Sequence, residues 1–423
     1  GRRDRRRRRG TVVALLDVGV MFAAVAVAGA VANRFGQSVI PAYILVGMLL
    51  GEYVLGRFSL PAVGTFYVPE TEFISLGAEL GIVFLLFFLG LEFNLDRLFA
   101  RGRQIGTAGT IDLANFGVGL VLGWLVFGAF LPAFLIAGIV YISSSAVITK
   151  SLIDLGWIAN DEAEPMLGTL VYEDLFIAVY LSVASALVLG GGDVVAAAVD
   201  VGIALAFIAG LLAVVQFGGP LFERLVATDN QEFVALRTVA AVVFVAGAAL
   251  ALGVSEAVAA FFVGMAFSAT DRVHAIETIL EPVRDVFAAV FFFWIGLVTD
   301  PALFADVAAL VALAVVVTTP TKVVTGYLAG RAFDLDVRRS TRVGLGMTTR
   351  GEFSLIIATV AVTGANGGAF DPALAATIKA FAVAYVLVMA VLGTTLMGHS
   401  APFESVAVSW LDRDRADEAG AGG

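Results

Sequence analysis

No cysteine occurs among the 423 residues, which excludes disulfides, thiol redox chemistry and thiolate metal sites. Histidine is nearly absent. His274 and His399 fall at expected helix ends far apart in the chain, and metal sites need clustered ligands, so both read as solvated surface residues. Charge is scarce as well, at 15% of residues, where a soluble domain carries about 25%. What is plentiful is apolar: 60% of residues are hydrophobic and the mean hydropathy is +0.95, which excludes a soluble globular protein. The net charge of -10 sits largely in loops and in the tail LDRDRADEAG. That balance argues against nucleic acid as a partner.

The apolar residues come in runs of helical length rather than in the short alternating segments of an outer-membrane barrel. An all-α polytopic membrane protein is therefore expected, with the lipid bilayer as its partner. Runs separated by charge, Gly or Pro predict about thirteen transmembrane helices. They lie near 11–32, 38–55, 73–92, 104–130, 131–152, 165–190, 194–217, 233–252, 255–270, 284–299, 303–331, 343–364 and 374–397. The basic stretch 1–10 precedes them and a short acidic tail, 398–423, follows. The run from Val12 to Ala32 is too long for the 7 to 15 residues of a signal-peptide core, so a first spanning helix is expected there.

Lys and Arg in the connecting loops orient the chain. With an odd number of spans and a cytoplasmic carboxyl end, fifteen basic residues fall inside, from Arg34 through Arg415, and only Arg57 outside. The arginine run before Thr11 is the exception to this bias. The span 194–217 is the odd one of the thirteen. Six spans that begin outside, a linker, and six that begin inside give the arithmetic of an inverted repeat, although no sequence repeat is visible.

Several ionisable residues lie inside these runs at a common depth. Glu173 is eight residues into the span that opens at Pro165, roughly 12 Å at 1.5 Å per residue, close to the middle of a core about 30 Å thick. Asp112, Lys322 and Arg350 come out at about the same distance from the same face, with Ser143, Ser144 and Ser145 slightly shallower. Charges at such depth cost about 2.5–3.5 kcal/mol each and usually face water or one another, marking ion pathways. The bland alternative is that they pair only to hold helices together. Because successive helical residues point about 100° apart, Glu173 and Asp174 are expected to have different surroundings, one facing a cation such as Lys322 and the other an aqueous cavity. Two spans look breakable at this level. Ser143-Ser144-Ser145 and Thr348-Thr349-Arg350-Gly351-Glu352 each offer side-chain oxygens and poor helix formers. Each is the fifth span of its half, and Pro320 stands two residues before Lys322.

The motifs PAYILVGMLLGE (41–52), ELGIVFLLFFLGLEFNLDRL (79–98), SSSAVITKSL (143–152), VYEDL (171–175), PVRDVFAAVFFFWIGLVTD (282–300) and TRGEFSLIIA (349–358) occur in this order. Through them the chain, over about 11–397, resembles the sodium/hydrogen exchanger superfamily, within it the monovalent cation:proton antiporter-2 branch with its Kef-type systems. The resemblance implies an inverted-repeat antiporter fold with two broken, crossing helices. A core domain would comprise about 104–190 and 303–397, a dimerisation panel about 11–92 and 233–299, and a linker helix 194–217. It implies a homodimer, no cofactor, and Na⁺ or K⁺ and H⁺ as transported ions. Asp174 matches the family's ion- and proton-binding aspartate, Glu173 the position before it, and Lys322 the cation that pairs with an acid in two-aspartate members. Kef-type members carry Gln where Glu173 stands. The tail holds no GxGxxG fingerprint, so no nucleotide-binding regulatory domain is expected in this chain.

The expected activity is exchange of a monovalent cation for protons across the plasma membrane, by a secondary transporter rather than an enzyme. Asp174 holds either ion; Glu173, Ser144, Ser145, Thr348 and Thr349 contribute oxygens, as hard cations prefer. Lys322, Arg350 and Glu352 compensate charge, and Asp112 and Ser143 are further candidates for the site. The rival classes are a cation channel, for which the sequence has no TVGYG-like filter, and a Na⁺-coupled symporter that holds an organic anion on Arg350.

Overall fold

The computed structural model describes residues 2–57, 59–60, 64–65, 67–92, 102–189, 206, 210, 213, 219–228, 230–251, 256–268, 270–368 and 371–420. Almost all of the described chain is helical. The exception is a two-residue hairpin, β1 (Ser59–Leu60) against β2 (Gly64–Thr65). The helices in order are α1 (Arg2–Arg34), α2 (Val39–Leu50), α3 (Glu72–Glu92), α4 (Gly102–Asp112), α5 (Ala114–Phe127), α6 (Phe130–Tyr141), α7 (Ser145–Asp154) and α8 (Ala163–Leu189). They continue as α9 (Gly219–Val226), α10 (Gln231–Ala251), α11 (Glu256–Ser268), α12 (Val273–Leu297), α13 (Leu303–Ala332), α14 (Val337–Gly346), α15 (Glu352–Asn366), α16 (Pro372–Gly398) and α17 (Ser400–Gly420).

Among the described residues eight helical segments are long and apolar enough to cross a membrane, and α6, α11 and α15 are shorter apolar helices. With no water in the hydrocarbon layer, helices that close all their own backbone hydrogen bonds are one of two ways across it. Large apolar side chains such as Leu125 (78% exposed) and Phe244 (75%) point outward, where lipid rather than water is their solvent. The expected span 194–217 lies outside the described residues apart from three isolated positions. Elsewhere the boundaries shift. The run 284–299 is the apolar end of a helix that begins at Val273 and carries Pro282 inside it. The stretch expected as a tail is helical over Ser400–Gly420.

The chain forms two compact units, Gly1–Asn94 with Val194–Ala305, and Leu95–Asp193 with Asp306–Gly423. In the first, α3 packs on α11 and α12, and α12 on α2. These helices meet through glycines. A Cβ on Gly90 would collide with the Phe261 carbonyl and one on Gly264 with the Phe87 carbonyl, the close backbone approach by which membrane helices associate without a hydrophobic driving force.

The second unit holds both breaks. α6 ends at Tyr141, Ile142 is extended, and α7 restarts at Ser145, with Ser144 Oγ accepting the Val147 N–H at 3.3 Å. α14 starts from Asp336, whose side chain accepts the Arg339 N–H at 2.8 Å. It stops at Gly346, and α15 begins six residues further along the sequence, at Glu352. Thr and Gly are poor helix formers, and each gap frees backbone groups that must find partners elsewhere.

An ion network fastens α17 to α14. Arg342 donates through Nε to Glu404 at 2.8 Å and through Nη1 to Glu162 at 2.7 Å, with its guanidinium over the Trp157 ring. Ser400 also donates to Glu404. Burial alone would push the Glu404 carboxyl up, but the hydrogen bonds from Arg342 and Ser400 and the charges of Arg342 and Arg338 outweigh it. They hold Glu404 below the ordinary carboxylate range. A group depressed on folding contributes stability above its unfolded pKa and loses it as pH falls through the folded value. Acidification below about pH 4 is therefore expected to release α17, and protease cleavage after Arg413 or Arg415 should accelerate in that window.

Candidate ion-binding site

The site is built on α8. Its first turn carries Pro165, suited to a helix start because its missing N–H needs no partner there. The helix then runs unbroken past Glu173 and Asp174. Adjacent positions on a helix point about 100° apart, yet both acids are buried. Glu173 is fully buried, whereas Asp174 keeps 5% exposure.

The first break supplies the cradle for Glu173. Because the chain is extended at Ile142, the Ser143 N–H is released from helical bonding and donates to Glu173 Oε2 at 2.6 Å; the Ser143 hydroxyl lies 2.9 Å from Oε1. The same oxygen receives Lys322 Nζ at 2.6 Å, and Lys322 also donates to Asp112 Oδ2 at 2.6 Å. Lys322, Glu173 and Asp112 are all essentially without solvent exposure. The ammonium also stands 5.2 Å from the centre of the Tyr141 ring, where the ring's negative face attracts it.

Asp112 is fixed in turn. Its Oδ1 accepts from Asn115 Nδ2 at 3.0 Å and from Thr325 Oγ1 at 3.1 Å. The Asn115 amide also takes the Asp112 carbonyl at 2.9 Å, just where α4 gives way to α5 at Leu113. One ammonium thus serves two carboxylates. A buried ion pair is tolerable only when its remaining lone pairs are also satisfied, and Ser143, Asn115 and Thr325 do that here.

Arg350 and Glu352 solve a different problem. α6 and α14 both end at the breaks, and the carbonyls at a helix C-terminus carry the negative end of its dipole. Arg350 sits fully buried among them, donating to the carbonyls of Val140, Met347, Thr348 and Thr349 at 2.8–3.1 Å. The opposite ends are the N-termini of α7 and α15, which favour negative charge. There Glu352 accepts from Ser144 at 2.8 Å and from Ser145 at 3.2 Å. A backbone bond from Ser144 N to Thr349 O at 3.3 Å ties the two breaks together.

The residues expected from the sequence thus divide into groups. Glu173, Lys322, Asp112 and Ser143 form one connected cluster, with Lys322 bridging the two acids and Ser143 donating to Glu173. Ser144 and Ser145 donate to Glu352, and Arg350 donates to carbonyls. The Thr348 hydroxyl donates to the Leu345 carbonyl at 2.7 Å, and the buried Thr349 hydroxyl has no hydrogen-bond partner among the described residues. Three participants were not expected: Asn115, Thr325 and Tyr141. The first two stand three residues after Asp112 and Lys322, the helical spacing that brings side chains together; that spacing was available as a signal. Tyr141 carried none, since an aromatic in an apolar run is ordinary.

The family model described as "Sodium/hydrogen exchanger, transmembrane" matches residues 20–399. The chain belongs to the sodium/hydrogen exchanger family. This exchanger is an integral membrane transporter, not an enzyme. It is 37% identical over 383 residues to the K(+)/H(+) antiporter subunit KhtU of Bacillus subtilis (strain 168), covering 90% of this chain and 91% of that one. It is 28% identical over 346 residues to the high-affinity Na(+)/H(+) antiporter NhaS3 of Synechocystis sp., covering 79% and 73%. The exchanger shares its fold with the sodium proton antiporter MjNhaP1 from Methanocaldococcus jannaschii, at a TM-score of 0.71 and 13% identity over 90% of this chain and 99% of that one.

Proposed function

We propose that the protein exchanges a monovalent cation, K⁺ or Na⁺, for protons by letting the two compete for Asp174. The observation that carries this reading is the division of labour between adjacent acids. Lys322 is committed to Glu173 and Asp112, while Asp174 is the member of the pair that keeps exposure. A charged carboxylate in a low-dielectric interior is costly. A proton or a cation each relieves that cost, and binding of one excludes the other. If the core crosses between membrane faces only with Asp174 occupied, two fluxes in opposite directions are coupled with no other energy source.

The breaks support this reading because irregular backbone at mid-depth is tolerated only where it is buried in protein or lines a cavity, the arrangement expected of ion-coupled transporters. In this proposal 104–190 and 303–397 form the moving core. The segments 11–92 and 233–299 form the panel through which two copies associate as a homodimer, with 194–217 as the linker. The carboxyl end is cytoplasmic and the membrane is the plasma membrane. The transported ions serve as substrates, with no cofactor required.

The test is direct. Purified protein in vesicles with an internal pH dye is expected to move protons when K⁺ or Na⁺ is added outside. The half-saturating cation concentration should rise as pH falls while the maximal rate is unchanged, as competition requires. K⁺ is the first cation to try, given the name of the relative at 37% identity. Absence of proton movement with each of K⁺, Na⁺ and Li⁺ sinks the proposal.

A further inference from the structure

The geometry points to an interaction surface outside the ion site: α17 is an in-plane helix whose Phe403–Val406–Trp410 stripe inserts into the headgroup and upper acyl layer of the bilayer. The sequence of α17 sorts into three faces. At about 100° per residue, Ser400, Glu404, Ala407 and Val408 share one side, and they are the buried or half-buried positions of a helix that packs on α14 and bonds it through Glu404. Ser405 and Ser409 lie roughly opposite, and both are exposed. Phe403, Val406 and Trp410, spaced i, i+3, i+7, form a third stripe about a quarter-turn from the docked side.

That third stripe is exposed at 45%, 58% and 75%. Two aromatic rings and a valine left in water would be an unusual choice on a helix that already has a polar face. One side on protein, one apolar side and one hydroxyl-bearing side is the pattern of a helix lying at a membrane surface.

The bilayer is the occupant because of where α17 starts. It begins at Ser400, directly after the C-cap residue His399 of the 27-residue apolar helix α16. The first turn therefore stands at the edge of the hydrocarbon layer, one residue past an apolar helix whose Val388 and Val391 are exposed. Trp and Phe are favoured at that level, where amphipathic rings bridge apolar and polar zones. The charged end of α17 carries more acids than bases, so insertion of the stripe rather than attraction to anionic lipid supplies the binding.

The consequence reaches the ion site. Glu404 holds Arg342 of α14, and α14 is ten residues long, about 15 Å, ending at the second break. A surface-anchored α17 thus restrains one half of the broken helix pair from the membrane plane.

The lack of native cysteine makes the test simple. Single-cysteine variants Val406→Cys and Ser409→Cys in the full chain carry a nitroxide in phosphatidylethanolamine/phosphatidylglycerol vesicles. The label at 406 is expected to be more accessible to oxygen than to a water-soluble nickel chelate, and the label at 409 the reverse. Equal nickel access at both positions places the stripe in water and overturns the proposal. Low access to both reagents at 406 overturns it in favour of a protein cover, whether a second copy or another chain. Trp410 supplies an independent reading in the unlabelled protein. Brominated lipid should quench its fluorescence, and the Trp410→Phe variant should lose that quenched component.

Discussion

Asp174→Asn is expected to reduce cation-driven proton movement to the rate of protein-free vesicles while leaving the protein folded. An amide is nearly the same size as the carboxyl, but it binds neither a proton at neutral pH nor a cation by charge, so both competing ions lose their site at once. Folding should survive because the amide nearly matches the carboxyl in size, and removing a charge from a membrane interior lowers a cost rather than adding one. The check pairs two measurements on one preparation: dye-reported flux with K⁺ and Na⁺, and thermal unfolding in detergent. Loss of flux with an unchanged or raised unfolding temperature is the expected pair. Retained flux at the unaltered rate excludes Asp174 as the exchanging group, and loss of both would assign it a structural role.

The depth of the charged layer was legible from counting residues along expected spans, because helical rise is fixed and the arginine-bearing loops set a common origin. Asp112, Glu173 and Lys322 were placed at one level on that basis, and their side chains meet within 2.6 Å. The sites of breakage were legible as well, since Ser143–Ser145 and Thr348–Gly351 are poor helix formers inside otherwise apolar runs. What counting could not supply was azimuth. Depth alone does not say which way a side chain points, so the pairing of Asp112 with Lys322 could not be read from it. For the same reason Arg350 was read as a counter-charge for acids. Its actual partners are backbone carbonyls, which exist as acceptors only because two helices stop beside it.

Helix ends were the other blind spot. Arg284 read as the start of a span, yet α12 begins at Val273 and passes through Pro282, because tertiary packing tolerates a proline whose missing hydrogen bond costs less than the contacts around it return. The tail LDRDRADEAG gave no periodic apolar signal of its own. Its helix belongs to a longer segment whose anchoring residues, Ser400 and Glu404, lie upstream and act through Arg342.

Lys322→Met should be the most destabilising single change in the second unit. Methionine fills a similar volume, so the loss is electrostatic. Asp112 and Glu173 would face each other across the vacated ammonium position with no cation, and breaking a fully buried ion pair by removing one partner costs about 3–5 kcal/mol. Asp112→Asn is expected to cost less, because Lys322 keeps Glu173, and Asn115 and Thr325 can still hydrogen-bond to the side chain at 112. Adding Asp112→Asn and Glu173→Gln to Lys322→Met should recover much of the loss, since no unpaired charge is then left inside the cluster, although exchange need not return. Thermal unfolding of the four proteins in one detergent reads the order: wild type and Asp112→Asn highest, the triple variant between, Lys322→Met lowest. If Lys322→Met unfolds with Asp112→Asn, the ammonium is not what holds the two carboxylates together. The cluster would then owe its stability to Ser143, Asn115 and Thr325, whose hydrogen bonds persist in both variants.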